Sequence, residues 1–558
     1  MTSVFVVFSN LLFPPGSSHS RSHGSKSLAT LLVLPTCFLA ATLILRESAG
    51  PFWMWHRIDP DYSYLIDALK ILNLTTPGHV DHPGTPVQWL GALVLKASYL
   101  TSSSGHIIET VLADPEPHMH RITLVITWLN AGILLLAGLA GLAVFHSIMP
   151  ALMVQAAPFI STQILKHGIA LKPESLLIFS VMALVMVTLL ALRPGAMEAN
   201  RRGFAVAFGV VLGFGVSCKI TFAPLFLLPL FLLSQRRAIF TFAVASLFAF
   251  LLFTLPALGA YEQFADWIVR LFLGSEHHGD GPATVINVEN YPRNIYRLFT
   301  RPFFSIVFIL AVLTLVAARR SGEEIPGPEL TALKGVTLTQ AVMVLMVAKQ
   351  LSSHYMIPAY MLTALSGALL YRILPALSLG GATVRQRFAR VFPGLLLLIV
   401  IAQAFGVVKM DWKFRNMREM ALSVDNERFG ACARIYSYSA SSPSYALYDG
   451  DFVCKFPFSE QLKQLQPEND FWINIFTSAS PSGDLRDGAG PRDLRQVLSS
   501  YPCAVFRGSR RGALAAFLAA EAPEAVYDTS CSTRQEEVFT MGVDCHGRLT
   551  DSDRDNTP

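Results

Sequence analysis

Two carboxylates, Asp59 and Asp61, stand two residues apart in the stretch WMWHRIDPDYSYL. At that spacing they can hold one divalent cation, or divide acid and base work on an incoming hydroxyl. Pro60 between them argues for a fixed, non-helical approach. The alternative is a solvated loop pair beside an Asp–Pro turn. Tyr62 and Tyr64 follow, suited to ligation or to anchoring at a membrane interface, where aromatic residues collect. A second polar knot, Asp81–His82–Pro83–Gly84, lies on a turn set by its Pro and Gly. There His82 can contact a phosphate or a sugar, or cap the turn. Further along come His167, Lys172 and Glu174 in KHGIALKPE, Lys219 in GVSCKITFAPL, and Lys349, His354 and Tyr355 in VAKQLSSHYMIP. A lysine can neutralise a phosphate leaving group, or its long stem can snorkel to water. Glu174 has no such stem. The segment 259–301 adds Arg270, Arg293, Arg297 and Arg301 and a Gly/His-rich middle suited to covering a site. His277–His278 within it is a weak metal pair.

These residues must be positioned by membrane-spanning helices. Of 558 residues, 52% are hydrophobic and only 15% charged, against about 25% charged in soluble domains. A bilayer core takes roughly 20 apolar residues per helix. Eleven segments qualify: 28–45, 122–145, 150–165, 173–192, 203–218, 220–234, 238–258, 303–318, 335–349, 354–371 and 391–408. The third, fifth and sixth are the weakest, with Pro, Gly or a single Lys marking their boundaries. The stretch 87–100 is too short to span and reads as an interfacial helix. Residues 1–27 lack the order of charge and apolar run that a signal peptide needs. They read as a flexible cytoplasmic extension.

With the N-terminus inside, the inner segments hold 14 Lys/Arg against 4 Asp/Glu. The outer ones before residue 409 hold 13 against 14. That asymmetry fits the positive-inside rule. It also gathers Asp59, Asp61, Asp81, His82, Glu174, Lys219, Lys349, His354, Tyr355 and Arg297 on the outer face. Ionisable groups at a membrane edge are costly without partners and so are functional candidates.

The tail, 409–558, is of different character. It carries 17 Lys/Arg and 21 Asp/Glu and five of the seven cysteines: Cys432, Cys454, Cys503, Cys531 and Cys545. Its β-prone stretches and 150-residue length suit a small extracytoplasmic α/β domain with a disordered end. Outside the cytoplasm one or two disulfides are permitted, and an odd count leaves one thiol over. No nucleotide-binding fingerprint or nucleic-acid-binding stripe is present, which excludes those function classes.

Four islands carry a family resemblance: DPDYSY after the first span, DHPGTPVQWL later in that loop, GFGVSCKITFAPL, and KQLSSHYMIP. In order and placement they resemble the type-C (GT-C) membrane glycosyltransferases that use polyprenyl- or dolichyl-phosphate sugars. Lipid A aminoarabinose transferases and the protein mannosyltransferases of glycosyltransferase family 39 belong to that group. The likeness covers about 1–408 in scattered pieces. It implies a GT-C-like polytopic α-helical membrane protein of about eleven transmembrane helices, with a catalytic transmembrane domain at 28–408. Asp59 would be the catalytic aspartate and general base, and Asp61 the second carboxylate. Both would be tentative ligands for a divalent cation, Mg or Mn. His82 would shape the donor or metal site, and Lys219 and His354 would meet the donor phosphate. Asp81, Glu174, Lys349, Tyr355 and Arg297 complete the expected substrate-binding set. The reaction would be an inverting transfer of a hexose or pentose to a lipid, glycan or protein acceptor. The expected location is a bacterial inner membrane, with site and tail in the periplasm. A lipid-linked glycan flippase, or a polysaccharide polymerase or ligase built on 259–301, are the competing readings.

Overall fold

The computed structural model describes residues 21–54, 58–81, 83–274, 284, 286–321, 327–377, 381–424, 427–465, 467–474, 484–488 and 490–550. Most of residues 1–27, and the pair His277–His278, fall outside that set; helix begins at Arg21. Two compact units are present. The first comprises 1–44, 80–87 and 124–408; the second comprises 45–79, 88–123 and 409–558.

Among the described residues, nine helices are long and apolar enough to cross a membrane. Two of the eleven expected spans are not single helices. The segment 150–165 is broken into Ile148–Gln155, a 3-10 turn Ala157–Phe159 and Thr162–Gly168. Pro158 interrupts the ladder, and the Ser161 hydroxyl, accepting from Gln163 N, starts the next helix. The segment 220–234 is a 3-10 run Ile220–Phe226 followed by Leu227–Leu232, with Pro224 and Pro229 as its breakers.

Contacts inside the first unit are those expected if both broken segments also cross. Gly84 N donates to Cys218 O at 3.2 Å, and Pro83 pairs with Lys219 as an isolated bridge. Residues 84 and 218 therefore share a face, and an even number of crossings must separate them. Only three long helices lie between: Pro115–Phe145, Pro173–Ala191 and Ala196–Cys218. Ile148–Gly168 is the segment left to supply a fourth, its helical pieces summing to roughly 28 Å if laid end to end. The Lys219 ammonium likewise lies 4.8 Å from the centre of the Tyr355 ring. Three long helices separate those two residues, so Ile220–Leu232 is the segment left to supply a further crossing. Non-helical backbone at membrane depth needs protein around it, and residues 151–171 are almost wholly buried.

Close helix contact in this unit depends on glycine. A Cβ at Gly213 would stand 2.4 Å from Ser246 O, and one at Gly209 would stand 2.8 Å from Phe242 O. The G-x-x-x-G pair lets Ala196–Cys218 lie directly on Arg236–Phe253, the small-residue packing that serves where no hydrophobic force acts between helices.

The tail of the second unit forms one six-stranded mixed sheet. Its strands are β1 (Ala433–Ser437), β2 (Asp470–Asn474), β3 (Asp484–Asp487), β4 (Gly490–Pro491), β5 (Ala504–Gly508) and β6 (Glu537–Met541), in the order β4-β3-β2-β1-β5-β6. The central β1 pairs in parallel with β2 and β5; the other pairs are antiparallel. Ile435, Phe471, Ile473, Phe506 and Phe517 anchor the main core. Cys432 bonds to Cys503 one residue before the Ala433–Ala504 register, and Cys531 bonds to Cys545. Cys454 is the leftover thiol, buried and donating to Ser63 O at 3.3 Å.

Candidate functional site

Asp59, Pro60 and Asp61 do not form the expected non-helical approach. They occupy the first turn of the helix Ile58–Leu72, where a proline is tolerated because its missing N–H would have no partner. Positions two apart on a helix do not share a face, so spacing alone no longer makes 59 and 61 a pair. The Asp59 side chain and the whole of His82 lie outside the described residues. Asp61 is buried in the second unit. Beside it Tyr62 donates to Glu116 Oε1 at 2.9 Å. Burial and that carboxylate push the Tyr62 phenol up, so it stays protonated as a donor.

The same helix carries a group that the sequence reading did not single out. Asp67 is fully buried and accepts from Gly78 N at 2.7 Å, His79 N at 2.9 Å and Gln88 Nε2 at 2.9 Å. Lys70 donates to Cys454 O at 3.0 Å, and Gly78 lies so close to Cys454 that a Cβ would stand 2.6 Å from its carbonyl oxygen. These contacts hold the polar loop around Gly78 and His79.

In the first unit the structure brings together residues from three distant stretches. Glu174 lies in the first turn of Pro173–Ala191, and Lys219 caps the C-terminal end of Ala196–Cys218. Each charge thus meets the helix-end partial charge that favours it. The Lys219 ammonium bonds to Glu174 Oε1, and both side chains are 3% exposed. His354 Nε2 stands 3.5 Å from the same carboxylate oxygen, and Ser352 Oγ lies 2.7 Å from His354 Nδ1. The His167 and His354 rings are 4.9 Å apart. Tyr355 follows His354 on a short 3-10 turn that Pro358 converts into the helix Ile357–Ile373.

Lys219 and Tyr355 also line a cleft with Ile220, Thr221, Trp267, Leu271, Phe272, Met346, Val347, Lys349 and Gln350. Its wall is mostly apolar. Lys349 Nζ donates to Leu271 O at 2.9 Å and to Phe272 O. The expected set therefore divides. Lys219, Lys349 and Tyr355 share the cleft, with Glu174 and His354 behind Lys219. Asp81 sits half-exposed on the bend before the Pro83–Lys219 bridge. Arg297 is exposed on the helix Tyr291–Leu298 and is not part of the cleft lining. That helix is pinned instead by Tyr291 OH to Leu345 O at 2.8 Å and Asn294 Nδ2 to Ala348 O at 2.9 Å. Gln350 and Thr221 are cleft residues that the sequence reading passed over. Among the described residues no three His, Cys, Asp or Glu side chains converge as a metal site.

No family model matches the chain, and no curated protein matches it. Among solved structures the chain is similar to the crystal structure of ArnT from Cupriavidus metallidurans bound to undecaprenyl phosphate. The match has 12% identity and a TM-score of 0.48, covering 90% of this chain and 97% of that one.

Proposed function

We propose that this multi-pass membrane protein is a glycosyltransferase that takes its sugar from a polyprenyl-phosphate-linked donor. One observation carries the reading: two ammonium groups, Lys219 and Lys349, stand in the wall of a mostly apolar cleft. A cation in such a wall calls for an anionic partner. A lipid-linked phosphate supplies an anion and an apolar chain together. Glu174 neutralises Lys219, so Lys349 is the cation with charge to offer, with two of its three protons already given to carbonyl oxygens.

In the proposed reaction the acceptor hydroxyl gives its proton to Asp59, and its oxygen attacks the anomeric carbon from the face opposite the phosphate. The bond between that carbon and the phosphate oxygen breaks, and the lipid phosphate leaves as the anion. The configuration at the anomeric carbon inverts. The four sequence islands support the choice of Asp59 as base and Asp61 as its companion. Asp59 and Asp61 are the expected ligands for a divalent cation, but two apart on a helix they do not share a face, so no step is proposed through one. The proposed acceptor is a hydroxyl of a lipid, glycan or protein, and the proposed location is a bacterial inner membrane with the site facing the periplasm.

Transfer from a radiolabelled polyprenyl-phosphate sugar in detergent tests the assignment. Asp59→Asn is expected to retain donor binding and lose most turnover. Near-normal turnover in that variant would overturn Asp59 as the base.

A further inference from the structure

Two polar groups in the wall of the Lys219–Lys349 cleft are unexplained by the fold. Gln350 is 9% exposed, and its Nε2 has no hydrogen-bond partner among the described residues. Thr221 Oγ1, in the same wall, is also buried and has no partner among the described residues. Buried donors left in this state are rare, because each forfeits the hydrogen bonds it had in water. Comparable buried amides in this unit have their nitrogens bonded, although their oxygens lack partners among the described residues. Gln340 Nε2 donates to Ala359 O at 2.9 Å, and Gln155 Nε2 donates to Leu31 O at 3.0 Å. Gln350 follows Lys349 directly at the end of Gly327–Lys349, so the amide and the ammonium enter the cleft from one short stretch.

We propose that Gln350, with Thr221, hydrogen-bonds the phosphate of a lipid-linked phosphate seated in this cleft, as the neutral partner of Lys349. Gln350 is then a specificity-determining residue for the headgroup. The inference rests on the reading of the cleft as the seat of a lipid phosphate. An amide suits the place: it binds phosphate oxygens without adding a charge that would have to be desolvated whenever the cleft is empty. A hydroxyl at 221 completes the set with either a donated proton or a lone pair.

The test is direct binding to the detergent-purified full chain, with polyprenyl phosphate, neutral polyprenol and inorganic phosphate as probes. Gln350→Leu removes the donors but keeps apolar volume. Its expected Kd for polyprenyl phosphate is about tenfold weaker or more, the scale of one hydrogen bond to a charged group. Its polyprenol binding and lipid-free thermal midpoint are expected to equal or exceed those of the wild type, because an orphaned amide has been removed. Gln350→Glu, of equal size, is expected to weaken polyprenyl phosphate further by like-charge repulsion, and Thr221→Val to weaken it in the same direction as Gln350→Leu. Unchanged polyprenyl phosphate binding in Gln350→Leu and Gln350→Glu would overturn the assignment while leaving the lipid-phosphate reading intact. Parallel loss of polyprenol binding and of lipid-free stability would overturn it in favour of a packing role. Inorganic phosphate competing as well as the lipid would make the seat one for free phosphate and overturn the lipid part. Wild-type protein that prefers polyprenol to polyprenyl phosphate would instead overturn the functional reading beneath it.

Discussion

Lys219 and Glu174 are 45 residues apart in sequence and nearly solvent-free in the fold. Removing one partner of such a pair strands a buried charge, at a cost of about 3–5 kcal/mol. Glu174→Ala should therefore lower the thermal midpoint in detergent sharply, and Glu174→Leu combined with Lys219→Met should recover most of the loss. A single variant as stable as the wild type would contradict the pairing. Lys349→Gln tests the other cation. It should raise the KM for donor by about tenfold to a hundredfold, from the ~1.5–3 kcal/mol of a charged hydrogen bond. At this scale the sequence was informative about charge and silent about neutrality. Lys219, Lys349, Glu174 and His354 stood out because ionisable groups at span edges are anomalous. That Glu174 cancels Lys219 depends on how two helix ends meet, which no local pattern records. Gln350 was missed because an amide is no anomaly, although it sits in the polar run that ends a span.

The broken helices carry the element-scale lesson. The weak spans are recognisable from Pro, Gly or Lys at their boundaries, and the structure breaks two of them at Pro158 and at Pro224 and Pro229. Single cysteines, introduced where Cys37, Cys218 and Cys454 have been replaced, give the test. His146→Cys and Gly195→Cys should label together with an impermeant thiol reagent, from the face opposite Asp81→Cys. Labelling of Gly195→Cys together with Asp81→Cys would mean that Ile148–Gly168 does not cross. Helix packing gives a second test at this scale. Gly213→Val would press a side chain against Ser246 O and should reduce the folded yield, while Gly195→Ala, with nothing within 4 Å but a φ of +74°, should cost much less. The Asp–Pro–Asp stretch shows the reverse error. Its proline suggested a loop, but a proline in the first turn also begins helices, and the apolar periodicity of the following residues decides between them.

For the molecule as a whole, cysteine arithmetic and charge sorting were legible early. Five tail cysteines implied a leftover thiol, and two disulfides leave Cys454 over. Which cysteines pair was not readable, because it depends on β1 and β5 becoming neighbours across 71 residues. Cys432→Ser with Cys503→Ser should cost about 4 kcal/mol by the chain-entropy scale, read as a fall in thermal midpoint of the full chain. Unchanged stability would mean that the bond closes no costly loop. The central claim, that the cleft serves sugar transfer from a lipid phosphate, is tested most directly in proteoliposomes. They would contain the purified chain, a labelled polyprenyl-phosphate sugar and native-membrane acceptors, with the lipid products read by mass spectrometry. The expected result is release of polyprenyl phosphate matched by label on an acceptor, with both lost in Asp59→Asn. Movement of the intact lipid-linked sugar across the bilayer, with no polyprenyl phosphate released, would contradict it.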